Sequence, residues 1–390
     1  MSHPKITDED YNFVQKILDT LIEPHRKRME LGKKRQHQFN KHEQPDKPPL
    51  IIDGCWSEEI DSMFPEISPL ETNREFFRIL CHWLQLSASM LQGNSDWQPF
   101  VYAQFGTAVN LACIGLEPPI IKETASYGPP CPLDFKKAAD LSSKDISIQG
   151  TFAKALDFIV YVREITDDRI DVLCPDLQSP FDLACMIMGE VFFIKCIEDK
   201  PFIHQFLEFC TDLFCKSTLW GEELTGSRAK GNCHVGGGVV FQNRACAISV
   251  DHAVMFSPNI VDEFVIPSSV EVAKHLNATI KFHFCGWYEH LSLAVAKTKE
   301  LEVLNQGIVP GKEHDADFEL VMKMCADNNT LYNGAWPILP NETVQQYIDR
   351  LYKWAKRGIL LPVISFSKLT TRDDNPFITP AELYDYWQQK

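Results

Sequence analysis

The segment Thr279-Ile-Lys-Phe-His-Phe-Cys-Gly-Trp287 carries the most pointed chemistry in the chain. Read as a strand, its alternate residues share a face. Ile280, Phe282 and Phe284 then turn outward against helices, and His283 and Cys285 turn together to the other side. Gly286 ends the strand and lets the backbone bend. An imidazole and a thiol two residues apart on one face can both reach a soft ion such as Zn2+. The competing reading is a buried histidine beside an inert core thiol, and spacing alone does not separate the two.

A second cluster precedes it. Ile248-Ser-Val-Asp-His-Ala-Val-Met-Phe-Ser-Pro258 puts Asp251 and His252 at the end of the preceding strand. Asp251 would orient His283 from behind or serve, with His252 and Asp176, as an acid–base group. The alternative for Asp251 is a loop cap bonded to nearby amides. Asp53, Gln104, Gln178, Asn305, Asn333 and Trp336 also fall near strand ends and would line a pocket, with turn or capping roles competing at each. The run Gly231-Asn-Cys-His-Val-Gly-Gly-Gly238 lacks the Lys-Ser/Thr of a phosphate-binding loop and is followed by an extended stretch. It reads as an active-site flap, with Cys233 and His234 as extra ligands.

Positioning these groups requires a scaffold of strand ends. From residue 50 onward, short β-type runs alternate with long helical patterns, which is the signature of a parallel α/β protein. Strands are expected at 50–53, 100–104, 172–174, 247–250, 279–285, 301–305, 330–333 and 360–365, and eight would close a (β/α)8 barrel of TIM type. Helix starts recur just past these runs. Ser68-Pro69-Leu70-Glu71 and Thr379-Pro380-Ala381-Glu382 read as capping boxes with proline in the first turn. Ser179-Pro180 and Ser257-Pro258 repeat the cap, with Asp182, Asp262 and Glu263 placed to favour the helix dipole. Residues 1–48 read as a helical extension followed by a basic, proline-ended linker, and residues 49–390 as the barrel.

The bulk composition excludes several classes. A net charge of −15 argues against nucleic acid as the main partner. The basic run from His25 to Arg35 is the exception, read as a solvated helix face or, alternatively, a contact for an acidic partner. The opening residues show no apolar leader, and the most hydrophobic stretch, 181–194, is broken by Glu190 and too short for a membrane span. Thirteen scattered cysteines suggest reduced thiols and a cytoplasmic setting.

Taken in order, Asp251-His-Ala-Val-Met-Phe-Ser-Pro258 through Pro267, then His283-Phe-Cys-Gly286, resemble the uroporphyrinogen decarboxylase superfamily, and most closely its zinc-dependent, corrinoid-linked methyltransferase branch. Asp176-Leu-Gln-Ser-Pro-Phe-Asp182, Gly189, Leu304-Asn305 and the Thr379-Pro380 helix start agree, so the resemblance spans roughly residues 50–390. It implies a zinc-dependent methyltransferase moving a methyl group between a corrinoid, carried on a partner protein, and a small-molecule thiol or similar acceptor, and it implies a homodimer. Two departures stand out. Where the decarboxylases carry an arginine-rich segment for substrate carboxylates, this chain reads Asp53-Gly-Cys-Trp-Ser-Glu-Glu59. Where the methyltransferases carry a third cysteine ligand, it has Ser365 or Ser367, and a hydroxyl is a poor ligand for Zn2+. Cys55, after the first strand, is the expected substitute beside His283 and Cys285. Two alternatives stay open: a metal-independent lyase of decarboxylase type, drawing on Arg228, Lys230 and Arg244 for substrate carboxylates, and a non-catalytic corrinoid- or tetrapyrrole-binding protein.

Overall fold

The computed structural model describes residues 3–68, 71–117, 132–141, 145–226, 245–307 and 317–390. Strands form at all eight expected places, displaced by a residue or two at most ends: β1 Ile51–Asp53, β2 Phe100–Tyr102, β3 Asp171–Leu173, β4 Ala245–Ser249, β5 Thr279–Cys285, β6 Val303–Gly307, β7 Leu331–Gly334 and β8 Leu360–Ser365. Every strand pair is parallel. One sheet runs β1-β8-β7-β6-β5-β4, and β2 pairs separately with β3.

Among the described residues, continuous ladders do not close the expected ring. β1, β2 and β3 are only three residues long, and each carries a ladder on one edge. Single links serve the other edges. Gln178 bridges Ser249 in parallel register, which joins the segment after β3 to the end of β4. Asp96 N–H donates to the Leu50 carbonyl, and Ile52 N–H donates to Ser95 Oγ, which joins β1 to the approach to β2.

The outward residues of β5, Ile280, Phe282 and Phe284, are fully buried against helices, as alternation requires. The capping signals behave unevenly. Ser179 Oγ accepts from Asp182 N–H at 3.2 Å and starts the helix Pro180–Met188. Thr379 and Glu382 complete a capping box on Pro380–Gln389. Ser257 makes no cap bond, and its short helix passes through a π turn into Ile266–Leu276. Pro69 and Leu70 lie outside the described residues; the α-helix that follows them begins at Glu75. No described helix is long and apolar enough to cross a membrane, and the cysteines among the described residues form no disulfide with one another.

The expectation of a solvated basic face holds for Lys27 and Lys34, which are exposed, and fails for Arg35, which is buried. The helix Arg26–Asn40 lies across the amino ends of the strands, where Lys33 meets Asp171 at the start of β3. Its Arg28 and Arg35 converge on the fully buried Asp96 at 3.4 and 3.5 Å. The same carboxylate accepts from Leu50 N–H at 2.9 Å and from Tyr384 O–H at 3.1 Å. Gly32 allows this approach, since a Cβ there would sit 2.9 Å from Asp96 Cα. Arg28 and Arg35 are therefore drawn inward by a carboxylate that burial would otherwise leave uncompensated, while Arg26 stays at the surface on Glu23.

Asp96→Ala removes the carboxylate that Arg28 and Arg35 share and an anchor common to the helices Arg26–Asn40 and Pro380–Gln389. We expect it to lower unfolding free energy by about 3–5 kcal/mol, read as a lower urea midpoint with an unchanged slope.

Candidate metal centre

β5 ends with Cys285 open to solvent and His283 buried beneath it. The register sets His283 beside Ser249 on β4 and Asn305 on β6. Asn305 Nδ2 donates to the Asn333 carbonyl on β7, which turns its Oδ1 toward His283 Nδ1 at 2.5 Å. An amide oxygen only accepts, so Nδ1 carries the proton and Nε2 presents its lone pair. That Nε2 stands 3.5 Å from Cys285 Sγ and 3.6 Å from Asp251 Oδ1.

Asp251 is held from three sides. Its Oδ1 accepts from Cys285 N–H at 2.7 Å, its Oδ2 from Ser249 Oγ at 2.9 Å, and its own N–H donates to Asp182 Oδ2 at 2.8 Å. Asp182 is fully buried. Its other oxygen accepts from His252 N–H and lies 3.2 Å from His252 Nδ1. Burial pushes the Asp182 carboxyl up, and His252 opposes that shift. Burial would lower His252, but the adjacent Asp182 carboxylate outweighs it and raises the imidazole above its ordinary value.

Among the described residues, one group of His, Cys and acidic side chains brings three ligand atoms within 4.8 Å of one another: Asp251, His283 and Cys285. Oxygen, nitrogen and sulfur donors of this kind suit Zn2+ with a position left open for substrate. Burial and the Asp251 carboxylate push the Cys285 thiol up to about 12. A cation at this point would supply the charge that makes thiolate accessible at neutral pH. The residues fit the ion.

Cys55 is outside that group. Its Sγ faces the Asp53 carbonyl at 3.9 Å, and β8, β7 and β6 stand between its strand and β5. Ser365 and Ser367 pair with each other at 3.3 Å beside β1. The thiol-for-thiol substitution expected at Cys55 gives way in this geometry to a carboxylate, Asp251, which the sequence suggested only as an orienting or acid–base group.

The remaining pocket candidates scatter. Asp176 and Gln178 are buried between β3 and β4, and the Gln178 carbonyl accepts from Asn110. Gln104 follows β2, half-buried. Asn333 acts through its carbonyl on Asn305. Trp336 packs edge-on to Phe318 at 4.9 Å, and its carbonyl accepts from Tyr347 O–H, so it belongs to the layer beneath the helices. Cys233, His234, Arg228, Lys230 and Arg244 lie outside the described residues.

Three participants went unassigned in the sequence. Asp182 was legible only as a first-turn residue. Lys281 shares the alternate face of His283 and Cys285 and is fully buried; strand alternation alone would have flagged it. Gly307, in register with Cys285, leaves the thiol its space, since a Cβ there would lie 2.9 Å from Sγ.

No family model matches the chain, and no curated protein matches it. Among solved structures, it is similar to a methyltransferase from Methanosarcina mazei, with a TM-score of 0.58 and 16% identity over 92% of this chain and 98% of that one. At that identity the likeness is one of fold.

Asp182→Ala should leave two part-buried amides without acceptors, at a cost of about 1 kcal/mol each, the low end for a buried donor. Hydrogen exchange should then speed up at the amides of Asp251 and His252, while the β6–β7 amides keep their protection.

Proposed function

We propose that this chain is a zinc-dependent methyltransferase, in which a methyl group passes between a corrinoid on a partner protein and a thiol or similar acceptor. The observation that carries the reading is the convergence of Asp251, His283 and Cys285 at the carboxyl end of a parallel α/β sheet whose fold is shared with a methyltransferase. In this reading the eight strands make one (β/α)8 barrel, and its mouth receives the partner.

Zinc, when bound, would supply the positive charge that holds an acceptor sulfur as thiolate at neutral pH. The chain's own residues do the rest. Asn305 fixes the tautomer that aims Nε2 of His283 at the ion, and such outer partners commonly set ligand basicity. Asp251, anchored by Asp182 and by Cys285 N–H, would supply an oxygen as third ligand from the end of β4, in place of the sulfur that the methyltransferase pattern takes from the end of its last strand. Gly307 keeps the flank of Cys285 clear. His252, raised by Asp182, stands next to this group and would take up the proton that the acceptor thiol gives up.

A lyase acting on a carboxylate-rich tetrapyrrole is disfavoured by the acids at these strand ends, Asp53, Asp176, Asp182 and Asp251. A non-catalytic carrier would have no use for a tautomer-fixed histidine beside a thiol.

Elemental analysis of protein purified without chelator should give close to one zinc per chain for wild type and almost none for Cys285→Ala or His283→Ala. Gly307→Ala should retain the fold and bind zinc more weakly. With methylcobalamin as donor, the wild type should convert a simple thiol to its methyl thioether and the zinc-free variants should not. Absence of zinc from the wild type would overturn the mechanism.

A further inference from the structure

The helices Lys200–Thr225 and Ile266–Leu276, which precede β4 and β5 in the chain, pack against each other and leave a cavity of about 410 Å³ along their seam. One wall is a single face of the first helix, where Leu207, Glu208 and Thr211 recur at helical spacing. The other wall brings Phe264 from the π turn Val261–Val265 and Pro267 from the start of the second helix. Leu207, Thr211 and Phe264 are buried and make its floor.

Four carboxylates line this cavity, and three of them are already matched. Glu263 meets Lys200 Nζ at 2.5 Å, Glu271 meets Lys274 Nζ at 2.6 Å and Asp212 meets Lys216 Nζ at 2.9 Å. Glu208 is exposed and has no ion-pair or hydrogen-bond partner among the described residues. Three positions on, Thr211 is only 4% exposed, and its hydroxyl has no such partner either. A buried hydroxyl in a helix commonly donates back to the carbonyl four residues earlier, as Ser217 of the same helix does to Leu213 at 2.7 Å. Thr211 makes no such bond. A polar group removed from water and left unbonded is costly in a folded chain, and one that lines a cavity is available to whatever enters it.

The occupant must donate to a carboxylate, reach a hydroxyl one helical turn away and cover an apolar floor. An ammonium group carries three donors and can serve Glu208 and Thr211 together. We infer that this cavity binds a small organic amine, with its ammonium group between Glu208 and Thr211 and its apolar body against Leu207, Phe264 and Pro267. The volume is within the range of small-molecule sites. An anionic ligand of the same shape would meet Glu208 with like charge and be rejected. None of the lining residues belongs to the group at Asp251, His283 and Cys285, so the inference stands apart from the methyl-transfer reading.

The test uses three probes that share a phenyl-bearing body and differ in their heads: 2-phenylethylamine, 2-phenylethanol and 3-phenylpropionate. Binding to wild type, Glu208→Gln and Thr211→Val is measured by calorimetry, and hydrogen exchange locates the bound amine. Wild type should bind the amine at least about threefold more tightly than the alcohol, as one charge-assisted bond to an exposed carboxylate warrants. It should bind the phenylpropionate most weakly. Glu208→Gln should erase the advantage of the amine over the alcohol, and Thr211→Val should weaken both. The amine should slow exchange in peptides covering 204–212 and 263–275, and Cys285→Ala should bind it as wild type does, whatever becomes of the zinc. Equal affinities, a preference that survives Glu208→Gln, protection confined to other peptides, or no binding of the amine at millimolar concentration would each overturn the inference. Should Thr211→Val fail to fold, the surface change Glu208→Gln decides.

Discussion

A carboxylate that no solvent reaches must find its donors within the chain, and Asp182 finds them on the loop after β4. It takes the backbone N–H groups of Asp251 and His252 and sits against the imidazole of His252. Everything at the candidate centre follows from that grip. With its backbone held, Asp251 can reach sideways to Cys285 N–H and Ser249 Oγ, and its Oδ1 arrives near His283 Nε2. From there the polar chain continues through Asn305 to the Asn333 carbonyl. β4, β5, β6 and β7 are thus cross-linked at their carboxyl ends by side chains, above a layer in which the outward positions are apolar. A network in which each member orients the next is stiff, and stiffness is what a ligand set needs.

The amino ends of the strands are held by a different carboxylate for a different purpose. Asp96 gathers Arg28, Arg35, Tyr384 and Leu50 N–H into a buried cluster that has no open face for a ligand. Barrel-like α/β proteins commonly divide their labour this way, with stability at one end and chemistry at the other. Both clusters use a fully buried aspartate. In one, the donors include fixed charges from arginine; in the other, they are backbone amides and a titratable imidazole, which leaves the loop free to present Asp251.

Much of this was readable from the residues. Strand alternation put His283 and Cys285 together and sent Ile280, Phe282 and Phe284 to the helices, because a period of two admits no other arrangement once one face is buried. All eight strands were locatable as short β-type runs between helical patterns. What could not be read depends on contacts distant in sequence. Asp182 satisfies a local rule as a first-turn acid, and nothing local reveals that its carboxylate reaches amides at 251 and 252. Arg35 looks like its exposed neighbour Lys34 until Asp96 is brought beneath it. Lys281 obeys the alternation, but a lysine is so seldom interior that the rule was not extended to it. Cys55 lies outside the group formed by Asp251, His283 and Cys285, because its thiol follows β1 and turns to the Asp53 carbonyl.

The cluster around Asp96 also has a bearing on how the chain comes into being. Arg35 and Tyr384 are separated by 349 positions, and Trp387 Nε1–H donates to the Pro48 carbonyl across a similar span. During synthesis the first helices therefore emerge long before the residues that complete their resting place. Before Tyr384 is made, Arg28, Arg35 and Asp96 have each other, the Leu50 N–H, Asp46 and the Ser95 carbonyl as partners, and the cluster lacks its tyrosine. Contacts so distant along the chain form late and slowly. The cluster around Asp96 is therefore completed only once Tyr384 is in place, 349 positions after Arg35.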